Sequence, residues 1–357
     1  MARLGLGDGW SCAFANDFDP AKAAAYRENF PDAQSHLVEG DVWALQPGDL
    51  PGRADLAWAS SPCQDFSLAG GRAGLAGGKS SAFYGFWRLM QALGNEGRSP
   101  KVLVIENVTG LLTSNGGADF IALCRALDDQ GYCFGALEID AAPFLPQSRP
   151  RVFVIAAQGH IGGAEGPNPF LTPAIGRGYE RLPPDLRARW RNWAGAAPAK
   201  RNTNLGDILE PDSSADWNTT EETQRLISLM SPKHQAQIEG LKASGERAAG
   251  ALFRRTRQVN GKPQQRAEVR FDGLAGCLRT PRGGSSRQTL LLIDQGQVRS
   301  RLISPREAAR LMGLPEAYSL PRSTTAALHV TGDGVAVPAV RWLAEQVIEP
   351  LLARLGS

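Results

Sequence analysis

The sequence predicts an α/β protein with a second, smaller module, and three observations carry that prediction. Over the first 160 residues, short apolar runs alternate with stretches of helical periodicity. That is the pattern of a mainly parallel sheet with helices on both faces. Acidic residues or a cysteine stand where the apolar runs stop, at Asp17, Asp41, Cys63 and Glu106. In open α/β sheets the carboxyl ends of the strands are where ligands bind. Beyond about Gly159 the alternation fails and the chain becomes rich in Pro, Gly, Arg and Trp, which marks a separate unit.

The elements run in chain order. "SCAFAND" (11–17) reads as a strand, and Asp19-Pro20 supplies the N-cap and first-turn proline of a helix through about Asn29. "HLVEGD" (36–41) and "DLAWAS" (55–60) are the next strands, and "SAFYGFWRLMQAL" (81–93) has helical periodicity. "KVLVIEN" (101–107) is a buried strand, and "ADFIALCRALDDQG" (118–131) is a helix with glycine at its end. "YCFGALEID" and "RVFVIAAQ" close the series. "TEETQRLISLMSPKHQAQIEGLKASGE" is helical, and regularity returns with "TLLLID" (289–294). Ser304 with Glu307 three residues on forms a capping box, and "VPAVRWLAEQVIEPLLARL" is a closing amphipathic helix. The expected division is 1–158, 159–275 and 276–357, the last returning to the first domain. Trp190, Trp193 and Trp217 are read as core of the smaller one.

Composition narrows the function. No run of 18 apolar residues and no signal-peptide pattern is present, so a cytoplasmic protein without a membrane partner is expected. The five cysteines include no CxxC pair and the four histidines are scattered. Neither a metal site nor a disulfide framework is expected. The net charge is +3, but 241–300 holds twelve Lys and Arg against four acids, a net +8 that leaves −5 on the remainder. A local basic block of that kind suits a polyanion such as nucleic acid.

The strand ends suggest chemistry. A carboxylate at the end of a first strand, here Asp17, grips ribose hydroxyls in nucleotide-binding folds; the competing reading is an ordinary turn acid. Glu106 closes an apolar strand, where desolvation is expected to raise its pKa. Gln147, Arg149 and Arg151 lie in "QSRPRVF", just before or at the start of another strand. On parallel strands these groups are expected to share one edge with Cys63. A thiol, a carboxyl that carries a proton and guanidinium groups suit conjugate addition to an electron-poor heterocycle. Amide hydrolysis fits less well, because no histidine lies in these motifs.

"SSPCQDFS", "IENV", "PQSRPRVF", "RLISPREAARLMGLP" and "GDGVAVPAV" resemble motifs IV, VI, VIII, IX and X of the DNA (cytosine-5)-methyltransferases, in that family's order and spacing. The resemblance covers about 9–157 and 275–350, and the segment between occupies the place of the family's target recognition domain. It implies an S-adenosylmethionine-dependent, Rossmann-like methyltransferase fold with a mixed sheet. It also implies methyl transfer from S-adenosylmethionine to C5 of a cytosine flipped out of double-stranded DNA.

Residue by residue, the resemblance implies that Cys63 attacks C6, that Glu106 holds the N3 and amino edge, and that Arg151 holds the base with Arg149 and Gln147 in support. Asp17, Phe18, Asp41, Val42, Pro62, Asp333 and Gly334 match cofactor-binding positions. Asp333 stands where the family usually has Asn. Gln64 and Ser67 match positions beside the DNA backbone. Further DNA contacts are expected from the basic block, at Arg282, Ser285 and Arg287 of "RTPRGGSSRQ". Arg301, Arg306, Glu307 and Arg310 are read as structural. A monomer working at the nucleoid of a bacterium or under phage control is implied, with a cognate restriction endonuclease as a further partner.

The family opens with a strand and an "FxGxGG" loop, whereas "MARLGLGDGW" resembles only the segment after that loop. The first strand is therefore expected to be missing from the sheet. A start set downstream at an internal methionine is favoured over a truncated remnant that binds DNA without catalysis. A tRNA cytosine-5 methyltransferase is a third reading, ranked low because the recognition segment exceeds a hundred residues.

Overall fold

A computed structural model describes residues 1–60, 82–159, 166–259, 262–280 and 287–356. From the amino end come α1 (Ala2–Leu6), β1 (Ala15–Asp17), α2 (Pro20–Asn29), β2 (Leu37–Glu39) and β3 (Leu56–Ser60). Next are α3 (Ala82–Asn95), β4 (Val102–Val108), α4 (Ala118–Asp129), β5 (Tyr132–Ile139) and β6 (Arg151–Gln158). After these come α5 (Pro173–Glu180), α6 (Pro184–Arg189), α7 (Thr220–Ser228), α8 (Pro232–Ser244), β7 (Ala248–Val259) and β8 (Lys262–Arg270). The series ends with β9 (Thr289–Asp294), β10 (Gln297–Leu302), α9 (Pro305–Leu311), α10 (Thr324–Asp333), α11 (Val337–Leu343) and α12 (Glu349–Leu355). A π-helical turn, Ala344–Ile348, joins the last two.

The chain forms two compact units. The larger holds 3–140, 150–198 and 339–357; the smaller holds 1–2, 141–149 and 199–338. The expected seams at 158 and 275 therefore move. Residues 166–198 stay with the larger unit because their backbone docks on β5: Arg191 N–H donates to Phe134 O at 2.7 Å, and Trp190 bridges to Phe134. Residues 287–302 join the smaller unit because β9 and β10 complete its sheet.

In the larger unit the sheet is in two pieces. β1 pairs with β2 in parallel. β3, β4, β6 and β5 form a second piece in that order. Among the described residues no strand pairs with the other edge of β1 or of β3. β4 is buried from Val102 to Asn107, as a near-continuous apolar run predicts for a strand covered on both faces. Leu103, Ile105, Phe134, Ala136 and Val154 pack against Phe83, Trp87 and Met90 of α3 and Phe120, Leu123 and Leu127 of α4. α2 starts as its sequence predicts, with the Asp19 carboxylate accepting from the N–H groups of Ala21 and Lys22.

The smaller unit is built on an antiparallel sheet of order β10-β9-β7-β8. α7 and α8 cover it through Met230, Ile238, Leu252, Val269, Leu291 and Ile293. The helical stretch at 220–246 is two helices, broken where Ser231 caps α8 and Pro232 opens it. α9 carries the Ser304–Glu307 capping box in full.

Candidate active site

The site is assembled first at the end of β4. β6 runs antiparallel to β4, with Glu106 in register with Phe153 and Val108 with Arg151. Glu106 and Arg151 are thus diagonal neighbours on one face. Arg151 Nε stands 3.2 Å from Glu106 Oε1, with side-chain exposures of 15% and 9%. The mainly parallel reading needs correction at this point. β1–β2 and β3–β4 are parallel, but β4–β6 and β5–β6 are antiparallel. On a parallel strand Arg151 would begin at the opposite edge of the sheet. The reversal of β6 is what brings it to Glu106.

β3 delivers the chain to the same place, because its last residue, Ser60, is in register with Glu106. Cys63 comes three residues later in the sequence. Pro62, Cys63, Gln64 and Ser67 lie outside the described residues.

The expected cofactor side chains of the larger unit sit at the ends of β1 and β2. Asp17 is the last residue of β1, and one of its carboxylate oxygens accepts from Asp19 N–H at 2.9 Å. Asp41 stands just past β2 and accepts from Trp43 N–H at 3.0 Å. Each carboxylate stabilises its own turn with one oxygen, and no other partner engages it among the described residues. Phe18, next to Asp17, is 72% exposed. Val42 packs against the core, and it approaches α3 at Gly85, where a side chain's Cβ would lie 2.5 Å from Val42 Cγ1.

Gln147 and Arg149 belong to the smaller unit. Gln147, expected at the DNA, is fully buried. Its amide donates to Leu311 O at 2.6 Å and accepts from Leu278 N–H at 3.1 Å. Both ends of the amide are used inside the protein, so the expected DNA contact is not available to it. Arg149, expected to support the base, is 2% exposed. It donates to the carbonyls of Leu278, Gly332 and Gly334 at 3.0, 2.7 and 2.7 Å. Its guanidinium ties the 278 and 332–334 segments together. Asp333 accepts from the Thr280 hydroxyl, and Gly332 packs on the Arg279–Thr280 backbone so closely that a Cβ would lie 2.9 Å from Thr280 N.

Arg287 is half-buried and donates to Ile303 O at 3.0 Å; burial lowers its pKa from the ordinary value. Arg282 and Ser285 lie outside the described residues. Arg301 and Glu307 form a buried ion pair, with hydrogen bonds of 2.7 and 2.5 Å. Trp217 lies under Arg299, 4.2 Å from ring centroid to guanidinium carbon. Among the described residues no three or more His, Cys, Asp or Glu are grouped to hold a metal. None of their helices is long and apolar enough to cross a membrane.

Sequence reasoning passed over the β7–β8 hairpin, whose signal was present as Asn260-Gly261 between strand-length segments. The flanks are too polar to read as strands by apolar alternation.

Known proteins share both this sequence pattern and this fold. The sequence profile of a family described as C-5 cytosine-specific DNA methylase matches residues 2–349. The Type II methyltransferase M1.ScrFI of Lactococcus lactis subsp. cremoris is 25% identical over 339 residues, 95% of this chain and 72% of the relative. The Type II methyltransferase M.HhaI of Haemophilus parahaemolyticus is 24% identical over 346 residues, 95% of this chain and 88% of the relative. In fold, the chain is similar to the crystal structure of S. pombe Dnmt2 methyltransferase. The TM-score is 0.60 at 18% identity, over 98% of this chain and 94% of that one.

Proposed function

The chain belongs to the C-5 cytosine-specific DNA methylase family, and from that premise we propose that it methylates C5 of a flipped-out cytosine in double-stranded DNA through a covalent adduct on Cys63. The observation that carries this reading is the Glu106–Arg151 pair, in which Glu106 is in register with Ser60 at the end of β3, three residues ahead of Cys63.

Cytosine C6 is inaccessible in a stacked duplex, so the base must leave the helix before the thiolate can reach it. The Cys63 sulfur then bonds to C6, and the ring's electron pair moves to C5. The Glu106 carboxyl O–H donates to N3 as negative charge develops on the ring. Arg151 orients that carboxyl and offers further N–H donors to the base. After C5 has gained its methyl, a base removes the C5 proton, the C6–S bond breaks, and the thiolate is restored.

S-adenosylmethionine supplies the methyl group as an electrophile. The larger unit has residues that fit it. Asp17 and Asp41 each hold a turn N–H with one carboxylate oxygen; a ribose hydroxyl is a natural partner for the other oxygen of Asp17, and the adenine amino edge for that of Asp41. The Phe18 ring, 72% exposed, gains by covering an adenine.

The test is transfer of labelled methyl from S-adenosylmethionine to duplex DNA, with methylation-sensitive sequencing of DNA from a host that expresses the chain. Cys63→Ala is expected to abolish transfer, and persistent transfer overturns the adduct. A second reading, a chain that binds DNA without catalysing, draws on the edges of β1 and β3 that no strand pairs with among the described residues. Calorimetry separates the two: tight S-adenosylmethionine binding excludes the second.

A further inference from the structure

β3 ends in two polar-tipped side chains that the proposed reaction does not use. Strand positions two apart share a face, so Trp58 and Ser60 stand together, and the Trp58 indole N–H donates to the Ser60 hydroxyl oxygen at 3.0 Å. Trp58 is held in turn by Phe153 of β6, edge to face at 6.0 Å between ring centroids. Glu106 is in register with Ser60 on one side of β4 and with Phe153 on the other, so these side chains share one row on one face of the sheet. The Glu106 carboxyl is therefore flanked from both strands. Arg151 stands on the β6 side, 3.2 Å from Oε1, and Ser60 stands on the β3 side. Glu106 is buried and Ser60 is exposed. The indole occupies one lone pair of the Ser60 oxygen, and the hydroxyl proton has no acceptor among the described residues. Water satisfies an exposed hydroxyl without help, so the indole bond fixes where this one stands.

We propose that Ser60 is a positioning residue for Glu106: its hydroxyl donates to Glu106 Oε2 as that carboxyl passes its proton to N3 of the cytosine. The inference rests on the methyltransferase reading above. Before the transfer the carboxyl is neutral, and a further donor to it gains little. As the proton leaves, negative charge develops on Glu106, and a hydrogen bond to a carboxylate is about twice as strong as one to a neutral acceptor. The bond therefore strengthens in the transition state, which is the condition for lowering the barrier. The Trp58 N–H, donating to the same oxygen, polarises the Ser60 O–H and makes it a better donor. Ser60 keeps its own proton; the one transferred is that of Glu106.

The experiment follows labelled methyl transfer from S-adenosylmethionine to unmethylated genomic DNA by the full chain, over a range of DNA concentration and pH. It compares the native protein with Ser60→Ala, Ser60→Thr, Trp58→Phe and the double variant of Trp58→Phe with Ser60→Ala. Unchanged thermal melting shows that the variants fold. Ser60→Ala is expected to lower kcat about ten-fold, as the loss of one hydrogen bond to a charged group does, with KM for DNA unchanged. The alkaline limb of its pH–rate profile moves to higher pH, because Glu106 loses a donor that favours its ionised form. Ser60→Thr keeps the hydroxyl and most of the rate. Trp58→Phe keeps a ring on Phe153 but releases Ser60, so it slows the native protein and has no further effect in the double variant. A Ser60→Ala rate within about two-fold of native, or a loss confined to KM with the alkaline limb unmoved, overturns the role of Ser60 and leaves the methyltransferase reading standing. A native chain that transfers no methyl to DNA overturns both.

Discussion

Arg151 Nε stands 3.2 Å from Glu106 Oε1, and Arg151 Nη1 also donates to Pro150 O at 2.9 Å. The guanidinium is therefore held from two sides and fixes the carboxyl in turn. Glu106→Gln keeps the shape and still accepts from Arg151, but it has no proton to give. The methyl-transfer rate is expected to fall by about 10²-fold or more, with little change in DNA affinity or melting temperature. A rate within a few-fold of native removes Glu106 from the chemistry.

Arg149 acts on stability. Its side chain satisfies three carbonyl oxygens at 2.7–3.0 Å with almost no exposure. Arg149→Met fills similar volume but leaves those carbonyls without their donors, each at about 1–3 kcal/mol. A destabilisation of about 3–5 kcal/mol is expected from urea denaturation. A loss under about 1 kcal/mol means that water replaces the guanidinium, and the tie between 278 and 332–334 is then unimportant.

Arg149 and Arg151 also show what the sequence can and cannot tell. They are two residues apart in one motif, yet they lie in different compact units. Nothing local separates them: the backbone just before Arg149 bonds to distant Ala275, with Ser148 N–H donating to Ala275 O at 3.0 Å, whereas Arg151 opens β6. Local signals served well elsewhere. The Asp19 cap, the Ser304–Glu307 box and the apolar runs of β4 and β6 each specify an element within a few residues. The direction of β6 was not legible, since an apolar run looks the same read up or down. β7 and β8 carry no apolar alternation in their outer halves, where no described side chain is buried.

The Arg301–Glu307 pair predicts acid sensitivity. Burial raises the Glu307 carboxyl, but hydrogen bonds from Arg301 and from the Ser304 and Glu210 N–H groups outweigh it and hold it below its ordinary 4.5. A folded-state value below the unfolded one means that stabilisation is complete above about pH 4.5 and is lost as pH falls through the folded value. The native urea midpoint is expected to drop between about pH 6 and about pH 3 by more than that of Glu307→Gln, which has no such proton to bind. At neutral pH the same variant strands a buried guanidinium, at a cost of about 3–5 kcal/mol. Parallel pH profiles for the two proteins refute the linkage.

Gly135 lets the 190–195 segment dock on β5. Arg191 O lies inside contact distance of where a Cβ would project, and Trp193 Nε1 is 2.9 Å from that point. The obstructing atom is a backbone carbonyl, held by the adjacent Arg191 N–H to Phe134 O bond, so a rotamer change gives no relief. Gly135→Ala is expected to destabilise the larger unit by about 3 kcal/mol, read from urea denaturation followed by fluorescence of the neighbouring Trp190 and Trp193. Gly176, inside α5 with nothing within 4 Å of its Cβ position, is the matched control. There Gly176→Ala is expected to stabilise by up to about 1 kcal/mol, because alanine is the better helix former. Equal effects at the two positions would mean that the close approach at β5 is not what anchors the segment.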